Sequence, residues 1–125
     1  MILVDTSVWV DHLRSGDETL GAMLDAGRVL THPFVIGEVA LGSLRRRGLI
    51  LSAMSDLPFG EVATDTEVLA LIDRCALSGR GVGYVDAHLL ACAFLTAGTK
   101  LWTRDGRLRD VASNLGVAMA GGAES

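Results

Sequence analysis

The sequence has little cysteine, and its histidines do not provide a metal-binding pattern in its place. Its two cysteines, Cys75 and Cys92, lie far apart in apolar stretches and match no spacing of metal-ligating pairs. His12, His32 and His88 show no convergent spacing with each other or with the cysteines, which argues against a zinc site. A disulfide-stapled secreted scaffold is excluded on the same ground. We therefore expect two buried free thiols in a reducing cytoplasm.

Long hydrophobic runs and a basic leader are also missing. No apolar run reaches the roughly 20 residues that a membrane-spanning helix needs. The first residues carry no Lys or Arg, and Asp5 interrupts the stretch that would be apolar in a signal peptide. The 125 residues are 50% hydrophobic and 21% charged, a globular composition. We expect a single domain over residues 1–125 that is cytoplasmic and has no membrane partner.

An excess of positive charge is absent as well. The chain has 15 acidic residues against 11 Lys and Arg, for a net charge of −4. This balance argues against a protein that coats nucleic acid through bulk charge. It is compatible with an enzyme that contacts phosphates locally while acids hold metal ions. Lys100 is the single lysine, and the arginines that supply the other cations suit bidentate phosphate contacts.

What the sequence does contain is a regular alternation of short apolar strands and helices. Strands are predicted at residues 2–5, 28–32, 60–63, 100–103 and 117–119, and helices at 6–14, 17–27, 33–47, 49–57, 65–79, 84–98 and 104–116. Asp17 and Asp65 are expected to cap their helices, and three arginines are expected at the end of helix 33–47. This order predicts an α/β layer fold with a parallel sheet.

Two acids follow predicted strands directly or nearly so. Asp5 comes after "ILV", and Asp105 follows "KLWT" with only Arg104 between. Functional sites of such sheets lie beyond the carboxyl ends of the strands, so both carboxylates should reach the same edge. Each also has a simpler reading. Asp5 could be a turn residue, with Thr6 or Ser7 capping the next helix, and Asp105 could be an ordinary helix cap.

Two further acids interrupt markedly apolar helices. Glu38 lies in the middle of "HPFVIGEVALGS", with no Lys or Arg at helical spacing, and we expect a buried carboxylate that needs a partner. The alternative is that Glu38 lies on a narrow solvated stripe. Asp86 is the single acid of "VGYVDAHLLACAFL". In the first turn of a helix, however, it could simply accept hydrogen bonds from unpaired backbone N–H groups.

Taken together, the four acids predict a cation site. Four converging carboxylates repel one another unless a cation neutralises them, and Mg²⁺ or Mn²⁺ prefers carboxylate and water oxygens. Such a site can activate water and stabilise charge on a phosphoryl oxygen, which is the chemistry of metal-dependent nucleases.

Four segments of the chain resemble the motifs of PIN-domain ribonucleases, in particular the VapC-type toxins of type II toxin–antitoxin pairs. They are "VDTSVWVDHL", "GEVALG", "GVGYVDAHLLACA" and "WTRDGRLRDVASNLGV", in the family's order and over essentially the whole chain. The resemblance implies a PIN-like fold, a central parallel β-sheet flanked by α-helices in three layers. It also implies endoribonuclease activity dependent on Mg²⁺ or Mn²⁺.

The resemblance carries roles over to particular residues. The catalytic and metal-binding acids would be Asp5, Glu38, Asp86 and Asp105, and the hydroxyls holding them would be Thr6, Ser7 and Thr103. Candidate RNA contacts are Arg14, Arg104 and Arg107, of which the last two flank Asp105. Many relatives carry an acid and an aromatic residue soon after the last Asp, where this chain has Arg107 and Leu108. This departure weakens the case for a second metal ion.

The resemblance further implies protein partners: a cognate small antitoxin, and a homodimer or a toxin–antitoxin hetero-oligomer. Two alternatives stay open. One is a housekeeping PIN-domain RNA-processing nuclease without an antitoxin. The other is a phospho-acceptor or phosphatase-type doubly wound domain, which is disfavoured because Asp5 stands alone, residue 7 is Ser, and Lys100 begins a strand.

Overall fold

The computed structural model describes residues 1–120, and the last five residues of the predicted domain, 121–125, lie outside the described part. Its sheet has three parallel strands in the order β2-β1-β3, with Ile2 opposite both Val29 and Lys100. The strands are β1 (Ile2–Val4), β2 (Val29–Leu30) and β3 (Lys100–Trp102). β1 is central and wholly apolar because a parallel strand in the middle of an α/β fold is covered on both faces.

Helices flank this sheet, as the predicted three-layer α/β fold requires. Their bounds in residues 1–120 are α1 (Thr6–Ser15), α2 (Glu18–Asp25), α3 (Pro33–Leu41), α4 (Arg47–Ser55), α5 (Asp65–Arg74), α6 (Tyr84–Leu95) and α7 (Gly106–Asn114). The helix predicted from Tyr84 is confirmed, and every residue from Ala87 to Ala93 is buried. None of these helices is both long and apolar enough to cross a membrane.

The ends of β1 and β3 meet at one edge of the sheet. The backbone N–H of Asp5 donates to the carbonyl of Trp102 at 2.9 Å, which ties the residue after β1 to the last residue of β3. The two strands therefore deliver Asp5 and Thr103 side by side, as their shared direction predicts.

Two helices end five or more residues before their predicted ends. α3 stops at Leu41 because Gly42 takes an extended conformation, and the three arginines lie at and before the start of α4 instead of on α3. The Arg47 guanidinium still donates to the carbonyl of Ala40, so it satisfies an end of α3 from outside the helix. α5 stops at Arg74, before a left-handed residue, Ala76, and does not continue to residue 79.

The caps also differ in part from the prediction. Asp17 caps α2 by accepting from the N–H of Leu20, as predicted. α5 is capped by Thr64 in a reciprocal box with Glu67, and not by Asp65, which is the first helical residue.

Two predicted strands reduce to single bridges. Residues 60–63 form no strand, and the neighbouring Phe59 makes one parallel bridge to Thr31. In residues 117–119, Ala118 makes one bridge to Leu101, supported by backbone hydrogen bonds on either side. Both segments lie at the outer edges of the sheet, where few neighbouring groups remain to extend the pairing.

Candidate functional site

Asp5 is the buried acid at the edge of the sheet where β1 and β3 end, the site edge. Its residue is only 6% exposed, yet no Lys, Arg or His of the described residues forms a salt bridge with it. Two hydroxyls donate to its Oδ2 atom, Ser7 at 2.8 Å and Thr103 at 2.7 Å. Oδ1 accepts no hydrogen bond from the described residues. One carboxylate oxygen is therefore held in place, and the other is left for a ligand.

The two hydroxyls link the ends of both strands. Ser7 Oγ accepts from the backbone N–H of Arg104 at 3.0 Å, and Thr103 Oγ1 accepts from that of Asp105 at 3.1 Å. Each hydroxyl thus donates to Asp5 and accepts from the segment after β3. Asp5 occupies the N-cap position of α1 and this helix has no side-chain cap, so the expectation that Thr6 or Ser7 caps it is wrong.

Glu38 lies on the exposed face of α3, so the expectation of a buried unpaired carboxylate is wrong. Only two residues of α3, Val35 and Val39, are fully buried, and the apolar Leu41 is 89% exposed. The apolar sequence of α3 therefore does not report burial all round the helix. The Glu38 carboxylate accepts from the hydroxyl of Thr6 at 2.7 Å, which ties α3 to the start of α1.

Asp86 is half-buried in the first turn of α6, where the backbone N–H of Gly83 donates to its Oδ2 at 3.2 Å. Burial raises the pKa of this carboxyl, and the negative charges of Asp5, Asp105 and Glu38 raise it further. The hydrogen bond from Gly83 acts in the opposite direction. All three other predicted acids thus act on Asp86, which places the four in one electrostatic neighbourhood.

Asp105 caps its helix and keeps one carboxylate oxygen free of hydrogen bonds from the described residues. Its Oδ1 accepts from the backbone N–H groups of Arg107 and Leu108, at 2.9 and 3.2 Å, and so caps α7. Its Oδ2 accepts no hydrogen bond from residues 1–120, and the side chain is exposed. Capping fixes the carboxylate but uses only one of its oxygens.

The donor chemistry of this edge fits Mg²⁺ or Mn²⁺. The four acids and their hydroxyl partners offer only hard oxygen atoms, and no salt bridge within the described chain neutralises the four acids. Over residues 1–120, no three His, Cys, Asp or Glu side chains already stand as a set that could hold an ion. The four acids therefore fit Mg²⁺ or Mn²⁺ in the type of their donor atoms and in their charge.

The candidate RNA contacts Arg104 and Arg107 have different surroundings. Arg104 forms ion pairs with Asp11 at 2.7 Å and with Asp17 at 2.6 Å, and its guanidinium lies 5.7 Å from the centre of the Trp102 ring. Its charge is engaged by α1 and by the cap of α2. Arg107 is exposed and forms no ion pair with the described residues. The sequence treated the two as equivalent because the partners of Arg104 are distant in the chain.

Arg14 lies on a groove beside Glu38. This groove has a volume of about 530 Å³ and lies between α1, α3 and the start of α4. It is lined by Val10, Leu13, Arg14, Glu38, Val39, Gly42, Ser43, Leu44, Arg45 and Ile50. Sequence reasoning missed it because its walls come from three segments that no local pattern joins.

A second polar cluster was also missed. Asp65 accepts from the hydroxyl of Tyr84 at 2.6 Å and lies 3.1 Å from Nε2 of His88. The His88 ring contacts Tyr84 and Phe34, each with ring centres 4.7 Å apart. The signal available in sequence was the helical spacing of Tyr84 and His88, which by itself names no partner.

Comparison with known proteins adds an independent finding. A family model described as "PIN domain" matches residues 2–114. Two curated relatives, both named "Ribonuclease VapC32" and from two strains of Mycobacterium tuberculosis, are each 48% identical to this chain over 120 residues. Those alignments cover 96% of this chain and 97% of each relative.

Proposed function

The chain belongs to the PIN-domain family, and from that premise we propose that it is a Mg²⁺- or Mn²⁺-dependent endoribonuclease and the toxin of a type II toxin–antitoxin pair. The proposal includes a cytoplasmic location. The names of its relatives support ribonuclease activity, and the near-complete coverage of both chains supports a shared function.

One observation carries the proposal: the charges of three acids from other segments raise the pKa of Asp86, and no Lys, Arg or His of the described chain forms an ion pair with any of the four. Asp5 follows β1, and Glu38 lies in α3. Asp86 lies in the first turn of α6, and Asp105 caps α7. An uncompensated group of this kind costs stability, which a divalent ion would recover. The raised pKa of Asp86, caused by burial and by the other three acids, is the measurable sign of that cost.

Each acid has a role that its surroundings support. Asp5 and Asp86 would be the direct ligands, since they are the more buried acids and each has one oxygen fixed by hydrogen bonds. Glu38, held by Thr6, would orient the ion or the attacking water, and Asp105 would complete the pocket. A bound Mg²⁺ or Mn²⁺ would supply water activation and charge stabilisation on the phosphoryl oxygen.

Replacing Asp5 with Asn tests the proposed site. We expect metal-dependent cleavage of single-stranded RNA by the wild type, lost in EDTA and restored by Mg²⁺ or Mn²⁺. Cleavage by Asp5→Asn should fall by at least about 100-fold because a ligand and its charge are removed. Fragment analysis on gels measures the activity, and circular dichroism checks the fold.

The matched control is Asp25→Asn, which removes an exposed acid at the end of α2, far from the site edge. It should cleave like the wild type. Full activity of Asp5→Asn, or activity of the wild type in EDTA, would contradict the assignment.

The groove beside Glu38 supports the antitoxin part of the proposal. Apolar side chains such as Leu13 and Ile50 line it together with Arg14 and Arg45, so an amphipathic segment with acidic residues would fit there. A homodimer or a toxin–antitoxin hetero-oligomer is the proposed assembly.

Expression with the product of the adjacent short reading frame, followed by size-exclusion chromatography, tests this partnership. A stable complex with suppressed RNA cleavage is expected. An isolated gene with no such neighbour would favour a housekeeping PIN-domain nuclease.

A further inference from the structure

The Arg107 side chain lies across the loop that leads into α6. A Cβ atom placed on Gly81 would be only 2.7 Å from Cδ and 2.8 Å from Nη1 of Arg107. These distances are well inside van der Waals contact, so the guanidinium packs against bare backbone at Gly81. The residue type at position 81 therefore decides where the end of Arg107 can lie.

This contact joins the segments that carry two of the site acids. Arg107 is the second residue of α7 and follows Asp105, the cap of that helix, by two positions. Gly81 precedes Gly83 by two positions, and the N–H of Gly83 donates to Asp86. The guanidinium thus lies beside the site edge, between the start of α6 and the start of α7.

The charge of Arg107 is not used within the described chain. It forms no salt bridge there, and its side chain donates no hydrogen bond to residues 1–120, whereas Arg104 is held by two carboxylates. A cation whose purpose was to neutralise Asp86 or Asp105 would lie within ion-pair distance of one of them. Arg107 is instead exposed, lies against the backbone at Gly81 and has no ion-pair partner among the described residues.

We propose that Arg107, seated on Gly81, binds a phosphate of the single-stranded RNA next to the bond that is cleaved. This inference rests on the proposed nuclease function and names a substrate-positioning residue for it. An arginine beside the acids can form paired hydrogen bonds to a phosphate and offset the repulsion between the acids and the RNA backbone. Gly81 acts through Arg107 by leaving room for it.

Replacing Arg107 with Ala tests the phosphate contact. KM for RNA should rise about tenfold while kcat changes by less than about threefold, since one charge-assisted contact to substrate is lost. The slope of log KM against log salt should also fall by about 0.7, the value for one phosphate on a single strand. Arg107→Lys should recover part of the lost affinity because it restores charge without the paired geometry.

The matched control is Arg80→Ala, which removes the same charge from an exposed residue of the same loop. It should leave KM within about twofold of the wild type. Equal effects of Arg80→Ala and Arg107→Ala would overturn the proposal, because they would indicate general attraction by the loop.

A second pair of variants tests the contact between Arg107 and Gly81. Gly81 and Gly79 have similar positive φ angles, 80° and 77°, but a Cβ on Gly79 meets nothing within 4 Å. Both Gly→Ala changes therefore place a Cβ at a positive φ, and only Gly81→Ala displaces Arg107. Gly81→Ala should raise KM as Arg107→Ala does and add nothing in the double variant, whereas Gly79→Ala should not raise it. An increase in KM shared by both glycine variants would overturn the role of Gly81 in positioning Arg107.

A binding measurement separates this inference from the proposed function. Fluorescence anisotropy with a short fluorescein-labelled single-stranded RNA, in the Asp5→Asn background, should show weaker binding for Arg107→Ala than for Arg80→Ala. If the wild type cleaves RNA but Arg107→Ala binds and cleaves normally, the phosphate contact alone is contradicted. If the wild type does not cleave but binding still depends on Arg107, the nuclease proposal alone is contradicted.

Discussion

At the scale of single residues, the burial of Asp5 and that of Glu38 are the reverse of what their sequence surroundings suggest. Glu38 stands among apolar neighbours yet is exposed, while Asp5, which looks like a turn residue, is buried and held by two hydroxyls. Apolar neighbours indicate burial only for residues on the same helical face. The position of the Asp5 carboxylate is therefore set by the hydroxyls of Ser7 and Thr103, which donate to it.

Thr103→Val removes one of these hydroxyls while keeping the shape of a buried side chain. Asp5 loses a donor, and the N–H of Asp105 loses its acceptor. We expect the affinity for Mg²⁺ or Mn²⁺ to fall about 10- to 100-fold, the usual effect of removing a group that orients a metal ligand. Isothermal titration calorimetry measures this affinity. Thr103→Ser, which keeps the hydroxyl, should bind the ion nearly as the wild type does, and a valine variant with unchanged affinity would contradict the role of the hydroxyl.

At the scale of elements, helix starts place three side chains of the site edge. α1 begins after Asp5, α6 begins just before Asp86, and α7 begins after Asp105. Only Asp105 caps its helix with its side chain, while Asp86 accepts from the N–H of Gly83. Backbone amides fix Asp86 and Asp105 through one oxygen each, whereas two hydroxyls fix one oxygen of Asp5. Without a cation, the start of α6 carries an electrostatic cost, because burial and three acids raise the pKa of Asp86.

Asp86→Asn should therefore stabilise the metal-free protein at neutral pH. The pKa of Asp86 is raised in the folded chain above its ordinary 3.8, so its ionisation above that raised value favours unfolding. The advantage of Asn should shrink as the pH falls through the raised pKa and vanish below 3.8. Thermal melts in EDTA across pH measure it.

Addition of Mg²⁺ gives the converse result in the same melts. It should raise the Tm of the wild type and leave that of Asp86→Asn nearly unchanged, because a ligand of the ion is missing. A metal-free Asp86→Asn variant that melts below the wild type at pH 7 would show that the carboxylate has a structural partner.

At the scale of the whole molecule, one core spans the sheet and the helices, and His32 is a polar member of it. His32 is buried, and its Nδ1 accepts from the backbone N–H of Phe34 at 3.0 Å, which caps α3. Burial, with a smaller effect of the nearby His88 charge, lowers the pKa of His32 from 6.5 to about 4. The folded protein therefore keeps this ring neutral in acid that protonates it in the unfolded chain.

The sign of this shift predicts acid sensitivity. Stability should fall as the pH drops from about 6.5 to about 4, by on the order of 3 kcal/mol, since only the unfolded chain takes up the proton. His32→Asn keeps a capping side chain that does not titrate, so its stability should depend less on pH in this window. Urea unfolding between pH 7 and 4 measures it. An unchanged slope of stability against pH in His32→Asn would refute the argument.

The sequence by itself determined the class of fold and named four acids as a candidate site, which stays a prediction. Short apolar strands between capped helices specify a parallel sheet, and parallel strands bring Asp5 and the segment of Asp105 to one edge. These conclusions rest on local periodicity and chain direction, which a sequence carries directly. The early ends of α3 at Leu41 and of α5 at Arg74 depend on neighbours that the sequence does not name, as does the absence of strands at residues 60–63 and 117–119.

Only the tertiary structure decided which charges are engaged. Arg104 and Arg107 flank the same acid, but Asp11 and Asp17 bind Arg104 from elements far away in the chain, and Gly81 leaves Arg107 exposed beside the site. The burial of Asp5 and the exposure of Glu38 were decided in the same way. The physical reason is that burial and ion pairing are set by long-range packing, whereas residue type and spacing set only which groups are available to be packed.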